Sequence, residues 1–250
     1  MLREGYAVTA EFEENHWWFR SRRDLILEQV KKAIGNRKNQ GDYKILDYGC
    51  GTGYNLRHLA NFGSVTGADI HTEAIKEFSK QEEYPYIDLS KDLTPHFGKY
   101  DLILALDVIE HIDDDVQALK EIGKLLSPDG ELIITVPAYK WLWSGEDIIS
   151  LHKRRYTESS LRIVTQKAGY DEFFFSYFNL FILPLMAVVI WGKKLFSSQK
   201  ANASDLSKTN RFINWILYRI TSLENTRVGK ELFSLPAGSS IICRLKNISH

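Results

Sequence analysis

Short apolar runs alternate with amphipathic stretches along most of the chain, and the punctuation between them sets out the elements. Residues 43–47, Ser64–Asp69, Tyr86–Asp88, Tyr100–Leu106 and 131–136 are apolar runs that predict strands. Between them, 55–62, 72–80 and a segment capped by Asp113 and running to Leu126 read as helices; Ser127-Pro128-Asp129-Gly130 stops the last of these. Thr157 caps a helix to Ala168, with Gly169 at its end. Ahead of the first strand, 11–34 reads as helix, whole or in two pieces, ended by Gly35 and followed by a polar loop at 36–42. Strands apolar on both faces and separated by helices are what a parallel sheet covered on both sides requires. The predicted fold is therefore α/β, a doubly wound sandwich with helices on both faces.

The C-terminal third breaks this rhythm. Residues 173–192 hold only Ser176, Asn179, Pro184 and Gly192 among apolar or aromatic side chains, a length that would pass for a membrane span. A strand at 173–178 and a helix from Pro184 to Lys193-Lys194 account for it better, and such a helix is too short to span. A polar stretch, 197–210, follows as an expected mobile loop. Residues 210–220 put Phe212, Ile213, Ile216, Leu217 and Ile220 on one helical face. Residues 239–245 read as a closing strand, so about sixty residues are inserted before it. An insertion there is expected to be a lid or substrate cover and the seat of specificity.

Composition narrows the class. A chain of 250 residues, 44% hydrophobic and 26% charged, is globular and not disordered. Its 32 Lys+Arg balance 32 Asp+Glu, so no bulk charge is available to hold nucleic acid, and no nucleic-acid partner is expected. Cys50 and Cys243 cannot make a disulfide framework or a four-cysteine zinc site. The start MLREGYAVTAEFEEN lacks an apolar signal core, which gives a cytoplasmic expectation.

The first strand runs into Asp47-Tyr48-Gly49-Cys50-Gly51-Thr52-Gly53 and then a helix. Glycines at such a turn let the backbone approach a ligand closely. The pattern is GxGxG behind an acid, not the GxGxxG of dinucleotide enzymes. Asp69 ends the second strand, where a carboxylate can accept both hydroxyls of a ribose. Asp88 ends the third strand with Leu89 beside it, and Leu106-Asp107 end the fourth. In open α/β sheets ligands sit over these carboxyl ends, at the switch point of the winding.

ILDYGCGTG, the acid of TGADI, YDLILALDVIEHI and LLSPDGELIITVP occur in that order and resemble the motifs of class I S-adenosylmethionine-dependent methyltransferases, in the branch containing the ubiquinone-pathway O-methyltransferases. The resemblance covers roughly 10–178. It implies a Rossmann-like, seven-stranded, mostly parallel sheet whose one antiparallel strand would be 239–245, with an α-helical insertion near the C-terminus. One methyltransferase domain would fill 1–250, with a helical cover at 10–35, a cofactor core at 43–178 and the insertion at 179–236. By resemblance, Asp47, Gly49, Cys50 and Gly51 would surround the methionine part of S-adenosylmethionine. Asp69 and Ile70 would meet the ribose and Asp88 and Leu89 the adenine, with Leu106 across the crevice. Relatives carry a similar Trp-Trp followed by an arginine for the cofactor's carboxylate. Trp18 and Arg23, with Arg22 next to it, fit that role.

Methyl transfer from a sulfonium is an in-line displacement, and an oxygen nucleophile also needs a base. Asp107, Glu110 and His111 share a face if 107–111 is a helical turn. They could hold a divalent metal with His152, as some relatives do, though Asp107 reaches less far than a glutamate. The reading adopted assigns no metal ligand and gives catalytic roles to His111 and His152. The run His152-Lys153-Arg154-Arg155-Tyr156 follows an aromatic loop and suits an anionic headgroup. The expected acceptor is a small or lipid-linked molecule methylated at oxygen, met by a cytoplasmic enzyme with peripheral contact to the inner face of a membrane. The rivals are a nicotinamide-dependent oxidoreductase and a module that binds cofactor or membrane without chemistry.

Overall fold

The structure, a computed structural model, describes residues 3–35, 43–78, 84–196 and 209–247. Its sheet has strands β1 (Lys44–Tyr48), β2 (Ser64–Asp69), β3 (Tyr86–Asp88), β4 (Tyr100–Leu106), β5 (Leu126–Pro137), β6 (Tyr170–Phe178) and β7 (Ser240–Asn247) in the order β3-β2-β1-β4-β5-β7-β6. β3, β2, β1, β4 and β5 pair in parallel, and β7 runs antiparallel to both its neighbours. The expected fold class is borne out, including the single reversed strand. Ile45, Leu46, Leu102, Ile103, Leu104 and Ile133 are fully buried because helices cover both faces of the strands that carry them. Each such side chain contributes roughly 1.5–3 kcal/mol through burial.

The winding reverses between β1 and β4, which pair directly, so the chain leaves their carboxyl ends in opposite directions and opens a crevice there. Helices α1 (Arg3–Phe12) and α2 (Trp17–Ile34) precede the sheet; α3 (Leu56–Leu59), α4 (Thr72–Phe78), α5 (Asp115–Leu125), α6 (Gly145–Ile149) and α7 (Glu158–Lys167) lie between strands. The insertion between β6 and β7 holds α8 (Leu183–Phe196) and α9 (Arg211–Gly229).

Several boundaries differ from the sequence expectation. The helix read over 11–34 is two helices. The second starts after His16, whose Nδ1 accepts from Trp18 N at 3.4 Å as a cap. The helix read over 55–62 shrinks to one turn, α3. Asp114, not Asp113, caps α5, accepting from Gln117 N at 2.9 Å. The Ser127–Gly130 stretch is absorbed into β5, with the irregularity appearing as a register shift at Tyr100/Leu102. The 210–220 helix continues nine residues further, and Phe212, Ile213 and Ile220 of its expected apolar face are exposed. The loops expected at 36–42 and 197–208 lie outside the described residues.

α9 uses polar contacts to dock on α2. Asn214 accepts from Trp17 N at 2.8 Å, and Tyr218 and Ser222 donate to Asp24 at 3.0 and 2.6 Å. Gln29 Nε2 donates to the Gly229 carbonyl at 2.8 Å, and a methyl group on Gly229 would lie 2.8 Å from the Leu25 carbonyl oxygen. That contact makes Gly229→Ala a test of the packing: the variant should lose about 1–3 kcal/mol in urea unfolding, because helix backbones must separate to admit the methyl. A stability unchanged from the parent would show that α9 is not seated as described.

Candidate active site

The carboxyl ends of β1, β2 and β4 carry Asp47, Asp69 and Leu106-Asp107, and the parallel register sets them side by side. Gly49 and Cys50 donate their N–H groups to the Ala68 carbonyl at 2.7 and 3.0 Å, fastening the glycine turn to β2. Gly49 has φ 75°, and a Cβ there would come within 2.5 Å of the Val108 side chain. Both facts exclude other residues. A Cβ on Gly51 would meet nothing nearer than the Tyr6 ring at 3.8 Å, so space for a ligand lies above it. Gly51 N donates to Asp69 Oδ2 at 2.9 Å, and Asp69 Oδ1 accepts from His71 N at 2.9 Å and from the Tyr6 hydroxyl at 3.2 Å. Tyr6, on α1, thereby covers the carboxylate assigned to a ribose.

Asp47 is 2% exposed, and its Oδ2 has no hydrogen-bond partner. Burial pushes its carboxyl up to about 7, the Arg22 guanidinium opposes that, and Asp69 adds to it. Arg22 reaches over from α2. Its Nη2 lies 2.9 Å from Asp107 Oδ2 and donates to Thr135 Oγ1 at 2.8 Å, while Thr135 donates to Asp107 Oδ1 at 2.9 Å. Asp107 itself sits at φ 56°, in the left-handed region that aspartate tolerates better than most residues. Arg23, the residue favoured from sequence for the crevice, faces elsewhere: it donates to the Glu13 carbonyl at 3.1 Å and lies over the Tyr54 ring at 4.9 Å. Trp18 is half-buried, edge-on to Trp17.

Beyond Asp107, a 3-10 turn at Ile109–His111 brings Glu110 and His111 against the loop that carries His152. The His111 and His152 rings meet edge-on at 4.7 Å, and His152 Nε2 is 3.9 Å from Glu110 Oε1. Glu110 is fully buried with neither carboxylate oxygen hydrogen-bonded; burial first and Asp107 second push its carboxyl well up. Burial and the His152 ring push His111 down to about 4, so it is neutral at physiological pH, and its Nδ1 has no partner. His152 Nδ1 donates to Asp147 Oδ1 at 2.8 Å. Arg155 grips both oxygens of Asp147 at 2.7 Å, and Ser144 N donates to Oδ2 at 2.8 Å. Burial raises the Asp147 carboxyl, but the hydrogen bonds from His152 and Arg155 outweigh it and hold the group below the usual carboxylate range.

Asp107 does not join Glu110, His111 and His152, whose ligand atoms all lie within 4.8 Å of one another. The basic run also differs from its expected role. Lys153 pairs with Asp113, Arg154 with Asp115 at 2.9 Å and Arg155 with Asp147, so these cations brace loops and are not offered to an anionic headgroup. At the end of β3, Asp88 Oδ1 accepts from Ser90 N and Oγ at 2.9 and 2.6 Å, Leu89 packs against the core, and Ile70, after β2, is exposed. Leu106 is half-buried across from Asp47. Sequence reasoning missed Tyr6, Thr135 and Asp147. Asp147 had a signal, since Ser144-Gly-Glu-Asp147 is a capping box opening α6.

The orphaned Asp47 oxygen yields a test. The folded chain binds this proton more tightly than the unfolded chain does, so the contribution to stability is complete in acid and is lost as pH rises through about 7. Asp47→Asn should therefore reduce the fall in stability between about pH 5 and pH 8 by a few kcal/mol in urea unfolding. An unaltered pH profile would contradict the assignment.

The methyltransferase domain family matches residues 15–172. A ubiquinone biosynthesis O-methyltransferase of Psychrobacter cryohalolentis is 30% identical over 149 residues, which cover 53% of this chain and 58% of that protein. The chain thus spans less than two thirds of such curated relatives. Among solved structures, the Bradyrhizobium japonicum N-methyltransferase NodS in complex with S-adenosyl-L-homocysteine superposes with TM-score 0.54 at 14% identity, covering 95% of this chain and 91% of that one. The Haemonchus contortus phosphoethanolamine N-methyltransferase 2 in complex with S-adenosyl-L-methionine gives TM-score 0.56 at 15% identity, covering 98% and 57%. With its glycine turn and acid-ended strands inside the matched residues, which make up more than half of its length, the chain belongs to the methyltransferase domain family.

Proposed function

We propose that the enzyme methylates an oxygen of a small or lipid-linked acceptor, with His152 as the base that takes the acceptor's proton. The observation that carries this reading is the Asp147–His152 pair beside Glu110 and His111 at the carboxyl end of β4. Asp147, kept ionised by Arg155, holds the proton on Nδ1 and leaves the Nε2 lone pair free to accept another. His111, neutral, packs its ring against His152 and limits where that ring can turn.

The donor in this reading is S-adenosylmethionine, which would supply an electrophilic methyl group on its sulfonium. The residues present fit it: Asp47 offers an unpartnered buried oxygen, and the glycine turn leaves space above Gly51. In this reading Asp47, Gly49, Cys50 and Gly51 line the methionine part, with Leu106 opposite. Arg22, which faces the crevice, takes the carboxylate in place of Arg23. Asp69 exchanges the Tyr6 hydroxyl for ribose hydroxyls, with Ile70 next to it, and Asp88 and Leu89 border the adenine. Trp18 stays part of the cover. A cationic donor favours ionised Asp47, so binding should weaken as pH falls below about 7, approaching tenfold for each pH unit. Titration of donor affinity across that range by calorimetry checks this, and a flat profile would remove Asp47 from contact with the donor.

A second reading shares the same side chains. Glu110, His111 and His152 bring three donors to one point, and Asp147 behind His152 is the kind of outer carboxylate that orients a ligating imidazole. A divalent cation held there would polarise the acceptor hydroxyl. Transfer of labelled methyl into lipid and aqueous extracts, with and without chelator, decides among these outcomes. The base reading expects transfer that survives chelation and falls roughly a hundredfold or more in His152→Gln, with donor affinity kept. Transfer abolished by chelator and restored by added cation would favour the second reading. Label on nitrogen or carbon products would overturn the O-methyl assignment.

A further inference from the structure

The insertion is not folded away as a simple lid. α8 exposes Phe181 at its entry, then Leu185, Val188 and Trp191, with Val188 71% exposed and Phe181 63%. On α9, Phe212 is 67% exposed and stacks on Trp215, which is also exposed. Buried Glu224 accepts from Leu180 N and Phe181 N at 2.8 and 2.9 Å, so the entry to α8 is pinned beside the α9 turn that bears exposed Leu223. Isolated exposed apolar side chains are ordinary; two helices, joined where Glu224 holds the entry to α8, that both present large ones are a surface seeking a partner.

Charge selects the partner. Residues 179–236 carry eight Lys and Arg against three Asp and Glu, in a chain whose totals are equal, so the insertion is basic and the remainder acidic. Arg211 and Arg219 are exposed among the α9 apolar positions. A second copy of the same basic face would be repelled, whereas an anionic bilayer satisfies both the charge and the apolar side chains. α8 has 14 residues, about 21 Å of helix against a hydrocarbon core of about 30 Å. Among the described residues no helix is long and apolar enough to cross a membrane. Such a helix can lie in the interface but cannot span it.

We propose that the exposed faces of α8 and α9 form a docking surface for an anionic lipid bilayer. The surface also adjoins the candidate acceptor end of the site. Trp191 meets Trp141 at 6.2 Å, Trp141 stacks on Tyr139, and Tyr139 N donates to the carbonyl of Tyr156, at the end of the loop from His152. This deepens the lipid-linked reading of the acceptor but rests on its own observations.

The test is sedimentation of the full chain with vesicles of phosphatidylcholine alone or with about one third phosphatidylglycerol. The chain should bind the anionic vesicles and be released by salt. Val188→Asp with Phe212→Asp should weaken that binding roughly tenfold or more, with circular dichroism and donor affinity unchanged, because both positions are exposed. Failure of the parent chain to bind anionic vesicles would overturn the proposal, as would equal binding by the variant. A concentration-dependent dimer abolished by the same substitutions would also overturn it, by making a second copy the occupant. Vesicle binding without methyl transfer would refute the enzymatic reading alone, and transfer without vesicle binding would refute this one alone.

Discussion

The guanidinium of Arg22 makes the acidic crevice tolerable. Asp47, Asp69, Asp107 and Glu110 stand at strand ends or just beyond, three of them buried, and a group of carboxylates in low dielectric would otherwise surrender its charges. Arg22 pairs with Asp107 directly and lowers Asp47 and Glu110 through space, against the larger effect of burial on both. Asp107 pairs directly with Arg22, while burial raises the Asp47 carboxyl to about 7 and pushes that of Glu110 well up. One cation thus serves acids that differ in depth and distance. Thr135 closes the arrangement by bonding both Arg22 and Asp107, which ties α2 to β4 and β5 at the mouth of the crevice.

Why the acids sit there follows from the sheet. Interior strand positions are covered on both faces and favour apolar side chains, so the acids gather at the ends where the backbone leaves the ladder. That confinement made much of the site legible in sequence. Asp47, Asp69 and Asp107 could be placed because each follows an apolar run that can only be a buried strand. Arg22 and Arg23 could not be separated by the same logic. They are adjacent on one helix, and which of them faces the crevice depends on how α2 rotates against the sheet, a matter of tertiary packing. Tyr6 was equally hidden, since nothing local says that α1 folds back over Asp69.

The histidine cluster shows the same division. Glu110 and His111 were readable as a turn after β4, and His152 as a companion from a distant loop. Asp107 was grouped with them by spacing, yet its left-handed backbone turns it away toward Arg22. The partner that matters for His152 is Asp147, which comes from a five-residue helix placed only by its capping box and by Arg155. The basic run that looked like an anion patch is consumed in making that loop. Charges close in sequence had a structural use.

The insertion and the cofactor cover are one mechanical unit. α9 is fastened along α2 at three levels, by Asn214 to Trp17, by Tyr218 and Ser222 to Asp24, and by Gly229 to Gln29. Arg22 lies within that same fastened stretch of α2. A surface contact that holds α9 therefore also holds the helix from which Arg22 reaches the crevice, through packed backbones and not through a flexible hinge. β6 and β7 are antiparallel neighbours that a tight hairpin could join, yet the chain makes an excursion between them through α8 and α9, and α9 packs along α2 on the way. The residues that meet the surroundings and the residue that steadies the acids thus belong to one packed pair of helices.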